Sequence, residues 1–395
     1  MAYEDKNSIT YIGITNYRST NQRFGIKDKD RLAHIFCIGK TGVGKSTLLQ
    51  SLAIQDIKNG KGLAVIDPHG DVAESLLQHI PEHRKSDLIY FDPADLKHCI
   101  AFNPLHNIHS NYHHLVASGL VSVFKKIWGD SWGPRLEYIL RFSLLTLLEY
   151  PDATLLDIQP LLTDTLHRDK ILAHVKNEAT IAFWQNEFLK YSPTLRSEAI
   201  APILNKTGLF LTSIPIRNVV GQTTTSFRMQ QVLDCSKILI CNFSKGKIGE
   251  DACTLLGSML VTTIQLSALH RAKQPEHLRV PFFLYIDESQ TFATQSFVDM
   301  LSEARKFGLG VFMANQFLDQ LHEKIRAAIL GNCGTIISFR VGATDAEILA
   351  KEFYPVFEAI DLVNLARFSM YLKIMIDGAS SAPFSAYSIS NDASS

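Results

Sequence analysis

A mainly parallel α/β sheet flanked by helices, with an inserted all-helical domain, is the fold class this sequence predicts, and three observations carry it. Short apolar runs alternate with helical patterns early in the chain and again in its second half, the pattern of strands joined by crossover helices. Between them, from about His109 to Ile216, the periodicity is helical only. At the first strand-to-helix junction stands HIFCIGKTGVGKSTLLQ, in which Gly39, Gly44, Lys45 and Ser46 satisfy the pattern G-x-x-x-x-G-K-[ST].

That loop reads as a grip for phosphate. Gly39, Gly42 and Gly44 let the backbone turn so that successive N–H groups face one point, toward which the following helix also aims its positive end. Lys40, Thr41, Val43 and Thr47 complete the stretch in contact with the nucleotide. Lys45 is expected to reach the β- and γ-phosphates, and the Ser46 hydroxyl to bind Mg²⁺. The context agrees: His34 to Ile38 suits a buried strand and Thr47 to Ile57 has helical apolar spacing.

At 395 residues and 46% hydrophobic content, the chain can bury a large core, in two domains or one domain with a big insertion. Lys plus Arg and Asp plus Glu both number 39, so net charge gives no sign of a nucleic-acid partner and any basic patch must be local. Six cysteines without C-x-x-C pairs fit reduced thiols in a cytosol. The start MAYEDKNSITYIG does not read as a signal peptide. The uncharged run Ala252 to Leu269 carries several Thr, Ser and Gln residues, which suits a buried helix better than a bilayer span.

Taken in order, residues 1–32 hold short alternating pieces, Ile9 to Ile14 and Arg23 to Ile26, expected as edge strands. Residues 33–108 form the first half of a nucleotide-binding domain: the loop unit, then strand Gly62 to Ile66, a helix from Asp71 to Ile80, and strand Leu88 to Phe91. Asp67 ends the second strand, where it suits either a site near the nucleotide or an Asp-Pro turn. Residues 109–216 are the helical insertion, with segments Leu136 to Tyr150, Thr154 to Leu162, Thr180 to Tyr191 and Glu198 to Leu211; Pro134 marks a helix start, and Trp128 and Trp132 read as core. His106, His109, His113 and His114 have a spacing open to a metal, but no cysteine or second ligand cluster lies nearby in sequence.

Residues 217–395 return to alternation: strand Lys237 to Phe243, a long helix to about His270, strand Phe282 to Ile286, helix Ser296 to Phe307, strand Gly310 to Ala314, helix Leu321 to Leu330 and strand Thr335 to Phe339. The Ser/Ala-rich end from Ala379 reads as a short tail. Within this half, PFFLYIDESQ places Asp287 and Glu288 directly after an apolar strand. A nucleotide hydrolase needs two such carboxylates with different jobs: Asp287 to hold Mg²⁺ through water, and Glu288 to orient and polarise the attacking water. Gln316 ends the next strand, and its amide can accept from water while donating to phosphate. Arg305 and Arg340 are candidates to supply positive charge to the transition state, or are surface ion-pair residues. In SKGKIGED, Lys245 and Lys247 beside Gly246 and Gly249 suit either a contact with a nucleic-acid backbone or a polar turn leading into the next helix.

Together GKTGVGKST, AVIDPHGD, IYFDPADL, YIDESQTFA, SEARKFG, MANQ and GTIISFRVG resemble the FtsK–HerA superfamily of ring ATPases, and within it TraD/TraG-type coupling proteins of type IV secretion and conjugation. The resemblance spans nearly the whole chain and implies a RecA-like P-loop NTPase that uses ATP and Mg²⁺. It implies that Lys45 and Ser46 are the phosphate and magnesium residues, Asp287 and Glu288 the second motif, Gln316 the sensor and Arg305 a trans-acting arginine. It further implies a homo-oligomer, a hexamer, that binds and translocates DNA, with a relaxase or secretion-channel partner at the helical insertion. Coupling proteins usually carry amino-terminal membrane helices, which this sequence does not show, so a cytoplasmic protein is expected, peripheral to a channel through a partner. The other readings are an ATPase energising protein secretion or pilus assembly, and a slow nucleotide-switched assembly protein.

Overall fold

The computed structural model describes residues 8–129 and 132–389. Residues 1–7, which open the stretch read as lacking a signal peptide, lie outside the described residues, as do 390–395 at the Ser/Ala-rich end. The chain forms two compact units, one of 1–90, 229–244 and 267–395, the other of 91–228 and 245–266.

The first unit is built on an eleven-stranded sheet. In chain order its strands are β1 (Ile9–Thr15), β2 (Arg23–Lys27), β3 (Ile35–Ile38), β4 (Gly62–Asp67), β5 (Leu88–Phe91), β6 (Ile238–Asn242), β7 (Phe282–Ile286), β8 (Leu309–Asn315), β9 (Thr335–Ser338) and β10 (Ser369–Lys373). A small hairpin, β11 (Met375–Ile376) and β12 (Ala379–Ser380), precedes the last strand, β13 (Phe384–Ser388). The spatial order is β2-β1-β13-β10-β9-β3-β8-β7-β4-β6-β5. From β9 through β6 neighbouring strands pair in parallel. These six strands are buried along their whole length, which is why they read as continuous rather than alternating apolar runs.

The described part of the Ser/Ala-rich end is not a tail. Phe384–Ser388 lies between β1 and β10, antiparallel to both. Its small residues hid the strand, but Ala386 is fully buried and Phe384 packs edge-on against Phe24, with ring centroids 5.1 Å apart.

A buried charge cluster ties the amino-terminal strands to this sheet. Arg31 donates to both carboxylate oxygens of Asp56 at 2.8 and 2.7 Å, to Thr10 Oγ1 at 2.8 Å and to the Tyr285 hydroxyl at 2.6 Å. Lys61 donates to Asp28 at 2.5 Å, and the Arg31 guanidinium lies 3.6 Å from the Phe283 ring centroid. Burial opposes these charges, yet the pairing outweighs it: Arg31 is held above its ordinary pKa and Asp56 below its own.

The second unit is helical. Pro134 opens the helix Pro134–Leu148, as its fixed φ favours, and the long helix Glu250–His270 belongs here too as far as Leu266. Gly119 permits that helix to come close, since a Cβ there would sit 2.6 Å from Thr262 Cγ2. Trp128 and Trp132, expected in the core, are only half buried; Trp184 fills the core instead, its indole N–H satisfied by Thr146 Oγ1 at 2.7 Å. The stretch Thr180 to Tyr191 is not one α-helix but an α-turn, a π-turn at Phe183–Glu187 and a 3₁₀ turn. Among the described residues one helix, Glu250–Lys273, is long and apolar enough to cross a membrane, and 72% of its apolar window is buried.

Removing one partner of the buried cluster leaves the other charges uncompensated. We predict that Arg31→Met lowers unfolding stability by about 3–5 kcal/mol, measured as a shift of the urea midpoint at unchanged slope.

Candidate nucleotide site

Parallel pairing puts the carboxyl ends of β3, β7 and β8 at one edge of the sheet, and each end carries one part of the site. The loop Gly39 to Gly44 leaves β3 and runs into helix α1 (Lys45–Lys58). Gly42 and Gly44 have φ of +76° and +126°, conformations that side chains strain to adopt. The loop is pinned on both flanks: Gly39 N–H donates to Asn315 O at 3.2 Å, and Lys40 N–H to Arg340 O at 2.8 Å. Lys45 is buried and its ammonium donates to the carbonyls of Gly39 and Lys40 at 2.6 and 3.1 Å, which places its charge against the loop.

The second part follows β7. Ser46 Oγ donates to Asp287 Oδ2 at 2.9 Å, joining the first turn of α1 to the acidic strand end. Both are hard oxygen donors, the kind a magnesium ion takes while keeping several of its waters. Burial pushes the Asp287 carboxyl up to about 6; the charges of Asp67 and Glu288 add to this, while the Ser46 hydrogen bond and Lys45 oppose it. Such a carboxylate gains from a cation beside it. Glu288 stands at φ +48°, unusual for a residue with a side chain, its N–H donated to Asp287 Oδ1 at 3.0 Å.

The third part follows β8. Gln316 donates to Glu288 Oε1 at 2.7 Å and accepts from Thr41 Oγ1 at 3.1 Å, so one amide links the phosphate loop to the acid. Gln290 donates to the other oxygen, Glu288 Oε2, at 2.6 Å, and is itself held by Asn315 at 2.7 Å. Glu288 is thus oriented by two amide donors and buried, an arrangement suited to accepting a proton from a bound water. A cleft of about 560 Å³ beside it is lined by Lys40, Thr41, Gln316, Phe317, Gly342 and Thr344 among others.

Not every singled-out residue comes to this place. Arg305 is exposed, in the turn that leads into the amino end of β8. With burial, its charge holds His34, just before β3, down at about 4, which marks it as lying at the opposite edge of the sheet. Arg340 is exposed and adjoins the loop through its carbonyl. Asp67 is engaged as a turn acceptor, its oxygens taken by the N–H groups of His69 and Ala73 at 2.8 and 3.0 Å. Lys245 and Lys247 belong to the other unit, in a helical turn Lys245–Ile248 where Lys245 Nζ lies 3.8 Å from Glu250. Among the described residues the histidines His106, His109, His113 and His114 do not gather with others into a metal-binding group. Gln290 and Asn315 were not singled out from sequence, although each is an amide within two residues of a residue that was.

The Asp287 carboxyl makes a pH prediction. Its folded value lies above the unfolded 3.8, so it favours folding while protonated and that contribution is lost as pH rises through about 6. In metal-free protein, the stability of Asp287→Asn relative to the parent should therefore increase by up to about 3 kcal/mol from acid to neutral pH, measured by denaturant unfolding across that range.

A family model described as "Helicase HerA, central domain" matches residues 18–218, just over half of the chain. No curated protein sequence matches it. Among solved structures, the unbound bacterial conjugative coupling protein TrwBΔN70 superposes with a TM-score of 0.66 at 17% identity, covering 92% of this chain and 86% of that one. TrwB in complex with ADP and Mg²⁺ gives 0.67 at 17% identity over the same shares. VirB4 of Thermoanaerobacter pseudethanolicus gives 0.67 at 12% identity, covering 99% and 98%. At these identities the likeness is one of fold: a RecA-like P-loop sheet.

Proposed function

From a chain that belongs to the HerA helicase central-domain family, we propose a Mg²⁺-dependent ATPase that works as a ring and moves DNA, of the conjugative coupling type. The observation that carries this reading is the link Thr41–Gln316–Glu288, closed by Ser46–Asp287, which gathers a phosphate grip, a cation site and a base at one sheet edge. TrwB has been solved with ADP and Mg²⁺ and with non-hydrolysable ATP and GTP analogues, which supports the same ligands here.

In this reading the loop amides from Gly39 to Ser46, with Thr47, and Lys45 bind the phosphates. Ser46 and, through water, Asp287 would hold Mg²⁺, which would neutralise phosphate charge when bound. Glu288 accepts the proton of the attacking water. Gln316 exchanges its contact with Glu288 for one with the water or the γ-phosphate, reporting hydrolysis to Thr41 and the loop. Arg305 serves a neighbour: β8 separates it from its own Glu288 by seven residues, roughly 23 Å of strand. A homo-oligomer, a hexamer by family likeness, brings it to the next subunit's phosphate. The helical unit provides a face for a relaxase or secretion channel, and Lys245 and Lys247 are the first place to seek the DNA contact.

The decisive measurement is the ATPase rate with and without single- and double-stranded DNA. Stimulation by either supports the DNA motor. Turnover above roughly one per second with no stimulation supports a protein-secretion or pilus motor, and much slower turnover a nucleotide-switched assembly protein. Lys45→Ala should abolish ATP binding, whereas Glu288→Gln should keep it and stop hydrolysis; equal loss of binding in both overturns the assigned roles. Mixing Arg305→Ala subunits with Lys45→Ala subunits should restore part of the activity at mixed interfaces, read as ATPase rate against mixing ratio. No recovery at any ratio counts against a trans arginine.

A further inference from the structure

Beyond the phosphate grip, one aromatic residue is held against the loop at a conformational cost. Phe368, which immediately precedes β10, has φ +64°, a genuine outlier for a bulky side chain. The surroundings force it: its N–H donates to Val43 O at 2.9 Å, and its carbonyl accepts from Ser388 N–H at 2.9 Å. Strain fixed from both sides is the kind that persists where a side chain must be aimed. Here the ring is aimed at Gly44. A Cβ on Gly44 would sit 2.9 Å from Phe368 Cδ1 and 3.2 Å from Phe339 Cε1, so only glycine at that position lets the ring approach.

Packing does not use the whole ring, since Phe368 is 36% exposed. The exposed Arg367 next to it sets its guanidinium 4.6 Å from the ring centroid, which steadies the ring and adds positive charge beside the loop. Position along the sheet says what this pair faces. β10 pairs with β9 on one side of β3, whereas Asp287 and Glu288 follow β7 on the other side. The end of the phosphate chain that is hydrolysed must lie toward Glu288, so the rest of the nucleotide extends toward Phe368.

We propose that Phe368 and Arg367 form the nucleoside clamp of this site: the ring is the flat surface for base and ribose, and Arg367 is the cation nearest the α-phosphate. Neither side chain reads the edge of a base, so the clamp takes purine nucleoside triphosphates without choosing between adenine and guanine. This rests on the nucleotide-hydrolysis reading above, and the test separates the two.

Calorimetric affinities of the full chain, with Mg²⁺, are compared for ATP, GTP and inorganic tripolyphosphate. In Phe368→Leu, ATP and GTP should each weaken by about ten-fold while tripolyphosphate stays within about two-fold of the parent; Phe368→Trp should retain both nucleotides. Arg367→Gln should weaken ATP and tripolyphosphate alike, because both carry a phosphate at the α position; a loss for neither would remove Arg367 from the clamp. Equal losses for ATP and tripolyphosphate in Phe368→Leu would mean the ring only shapes the loop, and would overturn the clamp. Unchanged ATP affinity in both Phe368→Leu and Phe368→Ala would overturn it too, as would a parent that binds tripolyphosphate as tightly as ATP. A parent that binds none of the three would instead overturn the nucleotide reading itself.

Discussion

Parallel pairing of β9, β3, β8, β7, β4 and β6 is the constraint on which the site depends. A parallel neighbour can be reached only by a crossover that returns the chain to the starting edge, so all six strands end on the same side. Three segments far apart in sequence, Gly39 to Thr47, Asp287 with Glu288, and Gln316, therefore meet without any contact needed to bring them together. What side-chain contacts add is orientation. Gln316 and Gln290 fix the two oxygens of Glu288, and Ser46 fixes one oxygen of Asp287.

That edge is electrostatically tense. Asp67, Asp287 and Glu288 bring three carboxylates near one another, and burial already disfavours the charged form of Asp287. Lys45 offsets part of this. A divalent cation would offset more, so in this reading the metal relieves a penalty built into the fold as well as assisting chemistry. The positive φ of Glu288 belongs to the same pattern: the chain turns sharply after β7 so that consecutive carboxylates serve different partners, one facing Ser46 and the other Gln316.

The other end of the sheet follows a different logic. Arg31, Asp28, Asp56 and Lys61 are all buried, and their charges cancel within a set of hydrogen bonds that joins β1, the segment between β2 and β3, the end of α1 and β7. Apolar residues would fill the same space, but they would not fix which strand lies where. The paired charges do, because any slip would leave a buried charge alone. The amino-terminal strands and β13, which wrap the antiparallel side, are thereby tied to the parallel part that carries the chemistry.

The sequence by itself determined the fold class, the parallel strands and the loop and carboxylate residues, because these are local facts. A strand buried on both faces must be apolar throughout, a phosphate loop needs glycine where φ turns positive, and an acid at a strand end is visible as such. The same reading missed β13 and took it for part of a tail, since small residues signal a strand only when a neighbour such as Phe24 is known. It placed Trp128 and Trp132 in a core that Trp184 occupies, because burial depends on which helix faces which. Pairing across hundreds of residues was also beyond it: Thr41 with Gln316, Ser46 with Asp287, and above all Phe368 against Gly44. Those contacts depend on the order of strands within the sheet, and that order is set by long-range packing, which leaves no periodic trace in the chain.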